Sequence, residues 1–206
     1  MHGAIAIPRH WSSTFLNNRE LSDVKTWLTD DKSFVTEFTP RLGVEGPKAH
    51  SHGGFLATIL DETMGSSCWY NGLPVLAANL TVRYRKSVPL NGTYQCTAKI
   101  DRLESKRAMV SGKITQGEMT FCEATGVFVR VPIELLKKQP DMARMVELVE
   151  SLKEGRSIAD LIELDKTRRR WGFAEGTTAP VTADWGEIWQ RGEKLLGDAW
   201  KLLTQR

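Results

Sequence analysis

HGGFLATILDETMGSSCWY, residues 52–70, is the stretch that decides the fold. Phe55, Leu56, Ile59, Leu60 and Met64 recur at helical spacings, and few side chains of the exposed type lie between them. The pattern predicts a largely buried helix over 53–70. Inside this apolar run stands one carboxylate, Asp61, with Glu62 beside it. From Ala78 to Val131 the texture changes to alternation, in Leu80-Val82-Tyr84, then Tyr94-Cys96-Ala98-Ile100, then 109–114 and 121–131. Pro89-Leu90-Asn91-Gly92, Glu104-Ser105-Lys106 and Gln116-Gly117-Glu118 punctuate these runs, which predicts strands joined by hairpin turns in an antiparallel meander. A single buried helix followed by such a meander implies an α+β domain, with an antiparallel β-sheet wrapped around a long central helix.

Outward from this core the signals are helical. Leu21, Val24, Trp27 and Leu28 predict a short amphipathic helix over 19–29. Beyond Val131, Pro140 precedes Met142, Met145, Val146, Val149 and Leu152 at helical spacing, and two pairs, Ser157 with Asp160 and Asp184 with Glu187, read as capping boxes. Trp185, Ile188, Trp189, Leu196, Trp200 and Leu203 form a final stripe, expected to dock on the chain's own core or on a dimer mate. The chain therefore divides into an N-terminal segment with a short helix (1–33), a sheet-and-helix domain (34–132) and a helical C-terminal extension (133–206).

With 206 residues, 41% hydrophobic and 26% charged, the chain has the make-up of an ordinary globular protein. It holds no run of about 20 apolar residues, so no transmembrane segment is expected. The opening residues lack a secretory pattern, which suggests a cytoplasmic location. Arg9 and Arg19 with no acid before Glu20 leave mitochondrial import as the alternative. Net charge is +3, and the surplus lies in residues 1–132. That is too diffuse for nucleic acid but suits a small anionic ligand, for which Arg83-Tyr84-Arg85-Lys86 is the candidate cluster. Strand alternation would send Arg83 and Arg85 to one face and Tyr84 and Lys86 to the other. Cys68, Cys96 and Cys122 are scattered, fitting reduced, partly buried thiols rather than a disulfide framework or a metal site. His50 and His52 are two ligands without a third, so neither a metal nor a cofactor is expected.

The chemistry concentrates in His52-Gly53-Gly54 and Asp61. Two glycines at a helix start sacrifice about 1 kcal/mol each relative to alanine. Bare N–H groups there, reinforced by the helix dipole, suit a developing oxyanion that a Cβ would obstruct. A carboxylate held in an apolar helix acquires a perturbed pKa and can serve as general base or nucleophile. At about 1.5 Å per residue, Gly53 and Asp61 lie roughly 12 Å apart, too far to act on one carbonyl. If both act together, the site combines two chains, which predicts an oligomer.

HGGFLATILDETMG, ANLTVRYRKSVPL and CEATGVFV together resemble the hotdog-fold acyl-CoA thioesterases, in the branch of the phenylacetic-acid-pathway thioesterases and the thioesterase superfamily members. The resemblance covers roughly residues 34–131. It implies the hotdog fold, edge-to-edge homodimers that often pair again into tetramers, and an acyl-CoA or acyl-carrier-protein thioester as substrate. It implies further that the Gly53 N–H, with Gly54 adjoining, polarises the thioester carbonyl, that Asp61 of the neighbouring subunit activates water or attacks, and that His52 orients the substrate or the loop. Asn79, Arg83, Arg85 and Lys86 are the substrate-binding candidates. Two positions depart from the family: Gly46 stands where the phenylacetyl branch has Asn, and Ala77 where many relatives carry a hydroxyl that holds the attacking water. Thr81 is the substitute hydroxyl in view, and the extension is a candidate for shaping the acyl pocket. Two alternatives remain: a non-catalytic acyl-thioester-binding protein, motivated by Ala77, and a hotdog dehydratase, which Asp61 in place of a helix histidine argues against.

Overall fold

The computed structural model describes residues 4–139 and 142–170. Seven antiparallel strands form one sheet: β1 (Ala4–Ile7), β2 (Ser22–Thr29), β3 (Phe34–Pro40), β4 (Val75–Tyr84), β5 (Tyr94–Leu103), β6 (Arg107–Gln116) and β7 (Met119–Arg130). Their order across the sheet is β1-β2-β3-β5-β6-β7-β4. A four-residue helix, α1 (Thr14–Asn17), links β1 to β2, and the long helix α2 (Gly53–Trp69) falls between β3 and β4. The sheet curls round α2, which touches β3, β4, β5, β6 and β7, so the expected wrapped-helix architecture is present.

The wrapping follows from side-chain sizes. Phe55, Leu56, Ile59, Leu60, Met64 and Cys68 of α2 are buried against Phe38, Tyr94, Val110, Ile114 and Phe128 from the strands. Each large aliphatic side chain buried this way contributes about 1.5–3 kcal/mol. Under the middle of the helix the strands carry Gly112 and Gly126. A Cβ at Gly126 would stand 2.9 Å from the Asn79 carbonyl oxygen and 3.1 Å from the Met64 methyl, so the helix lies in a trough that only glycine leaves open. The buried Thr63 hydroxyl is paired there, donating at 2.8 Å to Thr36 Oγ1. Cys68, Cys96 and Cys122 are all free and buried, as the sequence suggested.

The helix expected over 19–29 is not formed; residues 22–29 are strand β2. Leu21, Val24, Trp27 and Leu28 mimic helical spacing, yet the inward set is Ser22, Val24 and Thr26, which alternates. Pairing along β3, with Trp27 opposite Val35 and Thr26 opposite Thr36, supplies what the local pattern conceals. The short helix of this region is α1 instead, capped by the Ser13 hydroxyl, which accepts from the Leu16 N–H at 3.2 Å.

After β7 come α3 (Ile133–Leu136), α4 (Ala143–Lys153) and α5 (Ile158–Arg170). The Ser157–Asp160 capping box is present: Ser157 N–H donates to Asp160 Oδ2, and Asp160 N–H to Ser157 Oγ, each at 3.1 Å. Leu148, Ile158 and Leu161 form a second small core with Ile7, Phe34 and Tyr70. Phe34 and Tyr70 stack at 5.1 Å between ring centroids. Asp165 accepts from Arg144 at 2.9 Å and meets His10 Nε2 at 2.8 Å, while the Arg144 guanidinium lies over the Trp11 ring. The stripe from Trp185 to Leu203 and the Asp184–Glu187 pair lie outside the described residues.

Candidate active site

The first turn of α2 is held from three directions. His52 is its N-cap, and its ring Nδ1 accepts from the Gly54 N–H at 3.0 Å. That hydrogen bond fixes which ring nitrogen is bare, and so leaves the proton on Nε2. Behind the cap, the His52 N–H donates to the Val44 carbonyl and the Ser51 N–H to the Val88 carbonyl, both at 2.8 Å. On the third side the Tyr84 hydroxyl donates to the Gly53 carbonyl at 2.9 Å. The Gly54 N–H is thus occupied, whereas the Gly53 N–H meets no acceptor among the described residues. Of the two glycine amides, Gly53 is the one free to polarise a carbonyl.

An open depression of about 300 Å³ lies against this turn, lined by Ser51, Gly53, Leu56, Tyr84, Arg85 and Lys86 among others. The structure therefore gathers Gly53, Arg85 and Lys86 around one space. Arg83, Asn79, His52 and Asp61 are not in its lining. The alternation expected through Arg83 to Lys86 fails because β4 ends at Tyr84, and the Arg85 and Lys86 N–H groups both converge on the Phe121 carbonyl, at 2.8 and 3.1 Å. The chain leaves the pleat there, so two successive cations reach one depression. Arg85 is also tethered to Glu123, at 2.7 Å from Nη2 and 3.0 Å from Nε. Arg83 and Asn79 are exposed on β4, and the Thr81 hydroxyl donates only weakly to Asn79 Oδ1, at 3.5 Å.

Asp61 sits two turns along α2 from Gly53, on the half-covered side that it shares with Ala57, Thr58 and Gly65. Its Oδ1 is buried and without a hydrogen-bond partner. Burial pushes its carboxyl above the ordinary carboxylate range. Glu62 next to it is raised as well, first by burial and then by the Asp61 charge, against a lowering hydrogen bond from Ser13. The Ser51 hydroxyl, at the depression, is likewise buried without a partner. Such orphaned polar atoms cost stability and mark places where a ligand or second chain has something to satisfy.

The two family departures have different physical standing. A Cβ at Gly46 would lie 2.8 Å from the His52 Cα, so glycine there is enforced by the approach of the cap loop and no Asn fits. Ala77 is exposed on β4 and borders a bulge between Ala77 and Asn79, with room for a larger residue. Among the described residues, no group of three or more His, Cys, Asp or Glu is placed to hold a metal, and no helix is long and apolar enough to cross a membrane. Within the extension, the candidate for shaping an acyl pocket, α4 and α5 pack at the Tyr70 end of α2, about 25 Å from Gly53 by the helical rise, and residues 171–206 lie outside the described residues. Tyr84 is the site residue that sequence reasoning left without a role. Its partner Gly53 is 31 positions away, and only the aromatic flanked by cations hinted at it.

Residues 49–123 match the family model described as the thioesterase superfamily. Over 103 residues the chain is 32% identical to the acyl-coenzyme A thioesterase THEM4 of Xenopus laevis, covering 49% of this chain and 46% of that protein. Over 105 residues it is 25% identical to the acyl-coenzyme A thioesterase THEM5 of Homo sapiens, covering 50% and 42% respectively. A solved structure described as a thioesterase superfamily protein superimposes with a TM-score of 0.50 at 27% identity, covering 52% of this chain and 53% of that one. The chain thus spans about half the length of the curated relatives it matches.

Proposed function

We propose that this chain, which has the hotdog fold and whose residues 49–123 match the thioesterase-superfamily model, hydrolyses acyl thioesters of coenzyme A or of a carrier protein. The observation that carries the reading is Asp61: a carboxylate on the central helix with one oxygen buried and unpaired, its proton held more tightly than usual by burial. A desolvated carboxylate is a stronger base toward water and a better nucleophile toward a thioester carbon than one in bulk solvent.

In this reading the thioester oxygen accepts from the Gly53 N–H, and the helix dipole favours the negative charge that grows there. Arg85 and Lys86 beside the depression pair with the phosphates of the thiol moiety. The eight steps from Gly53 to Asp61 span roughly 12 Å, so the carboxylate that reacts belongs to a second copy of the chain. Support for a homodimer comes from β4, a ten-residue edge strand that contains no proline and leaves Leu76 and Tyr84 half exposed. A ten-residue edge with no strand on its outer side calls for a partner strand even with the bulge at Ala77–Asn79. Two such dimers pairing again is the further assembly we infer.

The test is thiol release from a panel of acyl-CoAs by the wild-type chain and by Asp61→Asn. Release that disappears in the variant supports the mechanism; none from any acyl-CoA or acyl-carrier protein sinks the hydrolase reading. The second reading, a binding protein without turnover, is favoured by Ala77, which supplies no hydroxyl for the attacking water. Saturable binding of acyl-CoA without thiol release would establish it.

A further inference from the structure

The peptide unit joining Gly53 to Gly54 is engaged at both ends. Its carbonyl accepts from the Tyr84 hydroxyl at 2.9 Å, and its N–H donates to His52 Nδ1 at 3.0 Å. Hydrogen bonds in series polarise one another, so donation into the carbonyl strengthens donation from the amide. The Tyr84 ring also backs Gly53 directly: a Cβ built there would meet the ring at 3.4 Å. Tyr84 and Gly53 line the same depression, so the ring braces the first turn of α2 at the place where the free Gly53 N–H borders the pocket.

We propose that Tyr84 is a positioning residue, whose hydroxyl orients the oxyanion-binding turn through the Gly53–Gly54 peptide and holds His52 in the form with its proton on Nε2. The inference rests on the hydrolase reading for its catalytic consequence, but the relay itself is a property of the folded chain. Tyr84 stands at the end of β4, where the pleat is broken, so the same irregularity that turns Arg85 and Lys86 to the depression delivers the phenol to the helix start. His52 then carries its proton on Nε2 and keeps Nδ1 bare for the Gly54 amide.

The experiment uses the full chain and Tyr84→Phe, which keeps the ring and deletes the donor. Loss of one neutral hydrogen bond that acts through the oxyanion donor should lower kcat by about fivefold to tenfold while KM for acyl-CoA stays within about twofold. A residue that merely props the fold would instead lower the melting temperature and leave kcat per folded molecule unchanged. The second arm is nitrogen and amide-proton NMR. In wild type the His52 ring nitrogens should show the Nε2–H pattern; in Tyr84→Phe the Gly54 amide proton should move upfield and the ring pattern shift toward a tautomer mixture. Unchanged resonances overturn the relay, and so does an active enzyme whose kcat does not respond. Should wild type release no thiol at all, the hydrolase reading fails and the NMR arm alone decides on Tyr84.

Discussion

The two ends of α2 are built on opposite plans. At the Tyr70 end, aromatic and aliphatic side chains from four elements close a small dry core, and Asp165 finds both Arg144 and His10. At the Gly53 end an amide has no acceptor among the described residues, the Ser51 hydroxyl has no partner, and two cations border an open depression. Each end holds an orphaned polar atom, Trp11 Nε1 at the first and the Ser51 hydroxyl at the second, but only the second borders an open depression with two cations on its rim. Stability is expected to depend on the first and chemistry on the second.

Four experiments can break or sharpen that contrast. The largest effect is expected from Asp61→Asn, on the half-covered side of the helix, which should cut kcat by about 10²-fold or more. Its stability should move the other way. Because burial raises the folded pKa above 3.8, the fold prefers the protonated acid. That advantage is complete below the unfolded value and vanishes as pH rises through the folded one, so at neutral pH the ionised group is a net cost. The variant should therefore melt no lower than wild type at pH 7, and the acid limb of the wild-type kcat/KM profile should lie above 3.8. An Asp61→Asn protein that is both active and less stable would assign the residue to packing.

Gly53→Pro should cost about 10²-fold in activity without unfolding the chain, since proline is accepted at the first helical position and removes only the N–H. Mixing it with Asp61→Asn adds a test of the two-chain site. Half of the exchanged dimers would carry one intact site, so about a quarter of wild-type activity should return. No recovery despite proven subunit exchange would place the site within one chain. At the cationic rim, Lys86→Ala should raise KM for acyl-CoA about threefold to tenfold with kcat unchanged, an exposed contact being worth less than a buried one. An unaltered KM would move the phosphate contacts elsewhere. The smallest effect on turnover is expected from the opposite end: Leu161→Ala should cost about 2–3 kcal/mol and lower the melting temperature by about 5–10 °C, with kcat per folded molecule kept within about twofold. A large loss of turnover would mean that the two ends are coupled.

What the sequence disclosed divides along the same line between local and distant information. The long helix, the meander and the Ser157–Asp160 cap are written in neighbouring residues and could be read directly. Strand β2 could not, because Leu21, Val24, Trp27 and Leu28 imitate a helix and only β3 alongside reveals the alternation. In the site, His52-Gly53-Gly54 and Asp61 were legible as motifs. That His52 occupies the Gly54 amide, that Tyr84 reaches Gly53, and that Arg85 is tethered to a glutamate 38 positions on are consequences of folding. Gly46 looked like a lost asparagine until the His52 backbone was seen 2.8 Å from where its Cβ would be.

The three buried cysteines acquire a meaning from the proposed product. Hydrolysis of an acyl thioester liberates a thiol at the protein surface, and any of it that oxidises to a disulfide can capture a protein thiolate by exchange. Burial pushes Cys68 and Cys96 up to about 12 and Cys122 to about 11, so at neutral pH almost no thiolate is available to be captured. The folded chain is therefore expected to resist the redox chemistry of the proposed product. A thiol-trapping dye added to the native protein will report released product and leave the cysteines silent until the fold is opened.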